Sequence, residues 1–230
     1  PEPDFAEGQS AEKAVWDILQ DSLPDDCVLA HSVQIKHGSA EHEIDILVLW
    51  PGVGMAAIEV KGGLVSCERG QWYQSDRSRG QQKLKSPVAQ CQSAVHAFKG
   101  WLTDRLGTPI SSRFTYMVAL PYSTIPEGWF LTGAPRAILL DQTDLKAPAD
   151  MIRRAIETEG GATQPLAPSF ISRIVPKLEG NFSQQKTEAA TYGELEHEQD
   201  YLTARQSTLL SATRSIPRIK FTGGAGSGKT

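Results

Sequence analysis

Two acidic residues stand inside strongly apolar stretches of this chain: Asp45 in Ile44-Asp45-Ile46-Leu47-Val48, and Glu59 in Ala57-Ile58-Glu59-Val60. Both stretches read as β-strands, and the turn residues Pro51–Gly54 between them favour antiparallel pairing. Strand side chains alternate between faces, so Glu59 and Lys61 point to one side about 7 Å apart, while Val60 points into the core. With the two strands paired, Asp45 lies beside Glu59. Carboxylates flanked by buried Val and Ile repel each other and are costly to desolvate unless a cation sits between them. Any fold for this chain must therefore hold acids in a sheet and give them a charge partner.

Around these strands the pattern is mixed. A first helix is expected from about Ser10 to Gln20, with Ser10 as N-cap and Ala14, Ile18 and either Val15 or Leu19 as its apolar stripe. Extended segments follow at 27–35, 44–50 and 55–60, and a hairpin at 64–67 and 71–74. A polar loop is expected from Ser75 to Ser86. Pro87 suits the first turn of a long helix through Leu106, with Val88, Cys91, Val95, Phe98 and Leu102 on one face. Strands at 114–120 and 137–140 and helices near 148–157 and 169–178 complete the domain. A polar, glutamate-rich linker spans 179–197, and residues 198–230 begin something new.

Composition narrows the class. Hydrophobic content of 40% and charged content of 22% suit a globular domain with its own core. No apolar run approaches the ~20 residues that cross a bilayer, and the acidic start Pro1-Glu2-Pro3-Asp4 is unlike a signal peptide. A cytoplasmic protein is expected. Cys27, Cys67 and Cys91 lack zinc-site spacing and are odd in number, which fits reduced structural thiols. The net charge of −4 is unevenly spread: residues 1–60 hold twelve acidic against two basic side chains, and residues 61–105 hold three against eight. An acidic segment before a basic one suits carboxylates that bind cations next to a surface that receives phosphates. A solvated basic face without a partner gives the same counts.

Hard divalent ions such as Mg²⁺ or Mn²⁺ suit carboxylate oxygens, a backbone carbonyl and water. Asp45, Glu59 and the Val60 carbonyl are the candidate ligands, Glu12 on the first helix a further one, and Lys61 the group that orients water or stabilises charge on a phosphate. Taken alone, Glu59-Val60-Lys61 is also a common surface ion pair. Arg77, Arg79, Lys83 and Lys85 are candidate phosphate contacts, and Trp72 and Tyr73 either stack on a base or pack against the sheet. His31, His37 and His42 read as polar turn residues rather than a metal cluster.

The Asp45…Glu59-Val60-Lys61 pattern resembles the PD-(D/E)xK nuclease superfamily and, more narrowly, the nuclease-related domain family NERD. The resemblance runs over about residues 8–106: Ser10-Ala11-Glu12, Glu43-Ile44-Asp45, Ile58-Glu59-Val60-Lys61-Gly62, Gly70-Gln71-Trp72 and Ser86-Pro87-Val88-Ala89-Gln90, in the family's order. It implies an α/β, restriction-endonuclease-like mixed sheet flanked by helices, at about residues 1–178. It further implies Glu12, Asp45, Glu59, Lys61 and Gln90 as site residues, and metal-dependent hydrolysis of DNA phosphodiesters. Where the family commonly has Asn before the Pro, this chain has Ser86. On residue type alone, Gln90 is more often a helix-terminal hydrogen bonder, and Glu12 is equally a salt-bridging or solvent-facing acid.

At the carboxyl end, Gly223-Gly224-Ala225-Gly226-Ser227-Gly228-Lys229-Thr230 follows the apolar segment Ile219-Lys220-Phe221 and spells a P-loop. Gly223, Gly226, Gly228 and Lys229 would cradle ATP phosphates and Thr230 its Mg²⁺. Leu202–Ser207 resembles the glutamine motif of superfamily-1 helicases, with Gln206 as adenine contact. A linker followed by the first strand and P-loop of a truncated RecA-like ATPase domain is therefore expected, with ATP bound only by a longer protein. The resemblance to nuclease–helicase fusions implies action on foreign DNA. The alternative is a catalytically silent DNA-binding module that loads or regulates the motor, and a third reading makes the ATPase the main activity.

Overall fold

The computed structural model describes residues 3–38, 40–76, 80–161 and 164–178. The expected linker, Gln206 and the P-loop residues Gly223, Gly226, Gly228, Lys229 and Thr230 lie outside them, as do Arg77 and Arg79.

Helix α1 (Ser10–Ser22) leads into β1 (Val28–His37), β2 (Ala40–Trp50) and β3 (Gly54–Val60). A small sheet follows, made of β4 (Leu64–Glu68), β5 (Gln71–Asp76) and β6 (Gly80–Leu84). Next come α2 (Pro87–Leu106), β7 (Phe114–Leu120), β8 (Leu139–Asp141), α3 (Pro148–Glu159) and α4 (Pro168–Leu178). The main sheet has the order β1-β2-β3-β7-β8: the first three strands are antiparallel neighbours, and β3, β7 and β8 run parallel. It is a mixed sheet of five strands flanked by helices.

Every residue of β3 is buried, which explains its nearly unbroken apolar run: a central strand covered on both faces cannot alternate. On one face Ile46, Val48, Ala56, Ile58 and Val60 pack with Val15 and Leu19 of α1 and Ile152 and Ile156 of α3. On the other, Leu47, Leu49, Met55 and Ala57 pack with Cys91, Val95, Phe98 and Leu102 of α2 and Ile171 and Ile174 of α4. Helix α2 has the expected limits for local reasons. Ser86 Oγ accepts the Ala89 N–H at 3.2 Å, Pro87 takes the first turn, and Gly107 ends the helix with a left-handed φ of 66°.

Several expectations need correction. The N-cap of α1 is Gln9 rather than Ser10, with no side-chain cap bond, and its buried stripe is Ala11, Val15, Trp16 and Leu19, with Ala14 and Ile18 only partly covered. The stretch expected as a loop from Ser75 to Ser86 contains β6, whose polar residues pair with β5 at an exposed sheet edge. The segment 137–140 is a 3-10 turn over Arg136–Ile138 followed by the short strand β8. No helix among the described residues is long and apolar enough to cross a membrane.

Gly54 opens β3 where no side chain fits: a Cβ would overlap Ile156 Cγ2 of α3 and lie 2.8 Å from the Arg113 carbonyl oxygen. Gly100 of α2 differs, because a Cβ there meets only the ring of His37, a side chain 44% exposed and free to swing. Gly54→Ala is expected to lower stability by about 1–3 kcal/mol through overpacking, and Gly100→Ala to leave it unchanged or raise it through helix propensity. Thermal denaturation of both variants checks this, and a Gly54→Ala protein as stable as the parent would refute it.

Candidate active site

The site forms where β3 leaves the sheet. Glu59, one residue before the strand's end, is 2% exposed, and Lys61 follows immediately after. The Lys61 N–H donates to the Ala119 carbonyl of β7 at 3.0 Å, which extends the parallel ladder by one bond and pins the lysine's backbone. Its Nζ donates to Glu59 Oε1 at 2.5 Å. The second oxygen, Glu59 Oε2, is buried and has no hydrogen-bond partner. A buried acceptor without a partner is rare in folded proteins, and a carboxylate oxygen is among the most costly to leave so.

Asp45 reaches the same place from β2. The Val60 N–H donates to Asp45 Oδ2 at 2.8 Å, a side-chain bond that ties the end of β3 to β2 just beyond the last register pair, Ile46↔Ile58. Burial first, then the nearby Glu59 charge, push the Asp45 carboxyl up to about 7 against the help of the Val60 N–H, with Glu12 adding to the rise and Lys61 opposing it. Burial also raises Glu59, against the pull of Lys61. The centre thus sets two acids that resist ionisation against one lysine. Cys91 lies beneath it on α2, its thiol 3.4 Å from the Ala57 carbonyl; burial and then the Glu59 charge push that thiol up to about 12, so it stays an inert packing group.

The β1–β2 pairing has a break at this level. His31 pairs with Ile46 and Val33 with Ile44, but Ser32 and Asp45 between them form no ladder pair, and Ser32 adopts a left-handed φ of 51°. The strand faces exchange across the break. Ile46 packs on the α1 side and Ile44 on the α2 side, although residues two apart in a regular strand share a face. Asp45 lies at the break, outside the ladder pairs, and accepts the Val60 N–H. Ser32 Oγ donates to Glu43 Oε1 at 2.5 Å.

Glu12, in the first turn of α1, adds its charge to the site, raising both Asp45 and Glu59. Its Oε2 accepts from Gln9 Nε2 at 3.0 Å and lies 2.9 Å from His31 Nε2. His31 is therefore no turn residue: it sits on β1 with a side chain 6% exposed, between Phe5 and Trp16. Its pairing with a residue nineteen positions away leaves no local trace in the chain. His42 is likewise on a strand, β2, and His37 closes β1 with Nδ1 3.5 Å from Asp104.

Asp45, Glu59, Lys61 and Glu12 are thus brought together, whereas the other expected residues are not. Gln90 is exposed in the first turn of α2, and no hydrogen bond joins its side chain to the carboxylates among the described residues. Lys83 and Lys85 are exposed, on and just after β6, and Trp72 is buried in packing contact with Trp129. Among the described residues no three His, Cys, Asp or Glu side chains form a ready-made ligand cluster.

The fold and this centre define an α/β domain that gathers acids and one lysine at the end of a mixed sheet. The chain belongs to the nuclease-related domain family, NERD, whose sequence profile matches residues 7–121. That match covers α1 through the residue after β7, and hence every member of the centre. No curated protein and no solved structure matches the chain.

The raised Asp45 carboxyl links stability to pH. In the unfolded chain Asp45 ionises near its ordinary value of about 4, and in the folded chain near about 7. The folded state keeps a proton that the unfolded state has lost, so the stability this group contributes is present below about pH 4 and is lost as pH rises through about 7. Asp45→Asn is expected to stabilise the cation-free protein by about 2 kcal/mol at pH 8, the gain shrinking towards pH 4. Melting curves of the two proteins across that range, with chelator present, check the sign; an Asp45→Asn protein less stable than the parent at pH 8 contradicts it.

Proposed function

We propose that the chain is a metal-dependent nuclease that hydrolyses DNA phosphodiester bonds, with Asp45, Glu59 and the Val60 carbonyl as principal ligands of Mg²⁺ or Mn²⁺ and Glu12 as a further one. The observation that carries this reading is the buried, unpartnered Glu59 Oε2 beside a crowded Asp45, inside the segment that matches the nuclease-related domain. All-oxygen donors crowded in one place fit a hard divalent cation. When bound, such an ion supplies Lewis acidity at a phosphoryl oxygen and lowers the pKa of coordinated water.

The protein's own groups have distinct tasks. The Val60 N–H fixes one Asp45 oxygen, so that carboxylate cannot swing away when its charge is neutralised. Lys61 holds a positive charge at the site mouth, where its Nζ can leave Glu59 Oε1 for a phosphate oxygen or orient the attacking water. In the reaction a water oxygen bonds to phosphorus as the P–O bond to the departing strand breaks, and the leaving oxygen takes up a proton. Lys83 and Lys85 would contact the phosphate backbone, as would Arg77 and Arg79. Gln90 would act from the first turn of α2.

The proposal extends to a longer protein in the cytoplasm. In it the Gly223–Thr230 P-loop and Gln206 belong to a helicase motor, ATP drives that motor, and foreign DNA is the substrate. Support for that part is the motif itself.

Supercoiled plasmid and labelled single-stranded DNA, incubated with the 230-residue chain and Mg²⁺ or Mn²⁺, test the core of the proposal. Cleavage is expected, with loss on EDTA addition and a fall of about 10²-fold or more in Asp45→Asn and Lys61→Ala. Absence of cleavage in every cation, with DNA bound and the binding weakened by removal of Lys83 and Lys85, would instead mark a silent binding module.

A further inference from the structure

The site contains one contact that nothing in the carboxylate–lysine pattern requires. Glu12 is held by two donors converging on the same oxygen: Gln9 Nε2 at 3.0 Å and His31 Nε2 at 2.9 Å, both to Oε2. An ionised carboxylate only accepts hydrogen bonds, so Nε2 is the protonated nitrogen of that ring pair. Oε1 has no protein hydrogen bond among the described residues, and the Glu12 side chain keeps 20% of its surface exposed.

The imidazole itself has little freedom. Its ring centroid lies 4.4 Å from that of Phe5 and 6.2 Å from that of Trp16, the latter nearly edge-on at 79°. His31 shares the α1 side of the sheet with Cys27 and Leu29 by ordinary alternation, and the left-handed backbone at Ser32 just after it sends Val33, two residues on, to the opposite core. A rigid aromatic box, a strained neighbouring backbone and a buried polar ring aimed at one carboxylate oxygen are more than packing needs. An apolar side chain would fill the same space without a buried polar nitrogen.

We propose that His31 is a positioning residue for the metal centre: its Nε2–H, together with Gln9, locks the Glu12 carboxylate through Oε2 and leaves Oε1 free to bind the divalent cation or a water on it. This rests on reading the centre as a divalent-cation site. Donors behind a ligating carboxylate fix its orientation, and their removal typically weakens cation binding 10–100-fold.

Two substitutions separate positioning from packing. His31→Phe keeps an aromatic ring against Phe5 and Trp16 but removes the donor, and His31→Gln keeps a terminal N–H at similar reach. Mn²⁺ binding to the 230-residue chain is measured by calorimetry beside cation-free melting curves. His31→Phe is expected to bind Mn²⁺ at least ~10-fold more weakly and His31→Gln within ~3-fold of the parent, both melting within a few degrees of it. If the phenyl ring prevents folding, His31→Asn, too short to reach Glu12, replaces it with the same expectation. Parent-like Mn²⁺ affinity in the donor-less variant, or equal loss in both variants tracking their melting points, overturns the proposal. A parent chain that binds no Mn²⁺ and cleaves no DNA instead overturns the cation reading, and this inference falls with it.

Discussion

The ion pair between Glu59 and Lys61 is the constraint on which the rest of this structure depends. A carboxylate that is 2% exposed at the centre of a five-stranded sheet survives only with a charge partner, and the chain places one two residues further along the same face. That pairing is incomplete, because Oε2 is left without a donor and Asp45 adds a second acid. Filling the space with apolar residues of similar size would be the more stable solution for folding alone. The surrounding core, apolar on both faces of β3, supplies the stability that lets the site keep its crowded acids. Such a locally unfavourable cluster within an otherwise consistent core is where function is expected to lie.

At α2 the determinants are local and legible in the sequence, unlike the cap of α1. Ser86, Pro87 and Gly107 state both ends of α2 by capping chemistry alone, and its five apolar residues at helical spacing all became core. The acids stood out because they interrupt β-branched runs that have no reason to contain them. Strand β6 was missed because Gln81, Gln82 and Lys83 have neither alternation nor apolar content; they are a strand only because β5 offers them a ladder. His31 was missed for a related reason. Its significance comes from Glu12, Phe5 and Trp16, which chain topology brings together and no short window contains.

Ser32 was the least legible of all, since nothing about a serine in a strand announces a positive φ. Yet this one residue marks where the strand exchanges its faces, directly after His31 and opposite Asp45. A left-handed residue in a strand exchanges the faces of what precedes and follows it, at a cost of order 1–2 kcal/mol. With a regular pleat, Val33 would share the α1-side face of Cys27, Leu29 and His31; instead it packs in the α2 core. Asp45, opposite Ser32, forms no ladder pair at the break, and its side chain accepts the Val60 N–H. The break thus falls between the His31–Ile46 pair, which faces α1 and Glu12, and the Val33–Ile44 pair, which faces α2, with Asp45 at the crossover. Since β3 and its neighbours are held by two apolar cores, the distortion can persist without loosening the sheet. The strained backbone and the crowded carboxylates thus meet at Asp45, and the apolar packing on both faces of β3 supplies the stability that tolerates them.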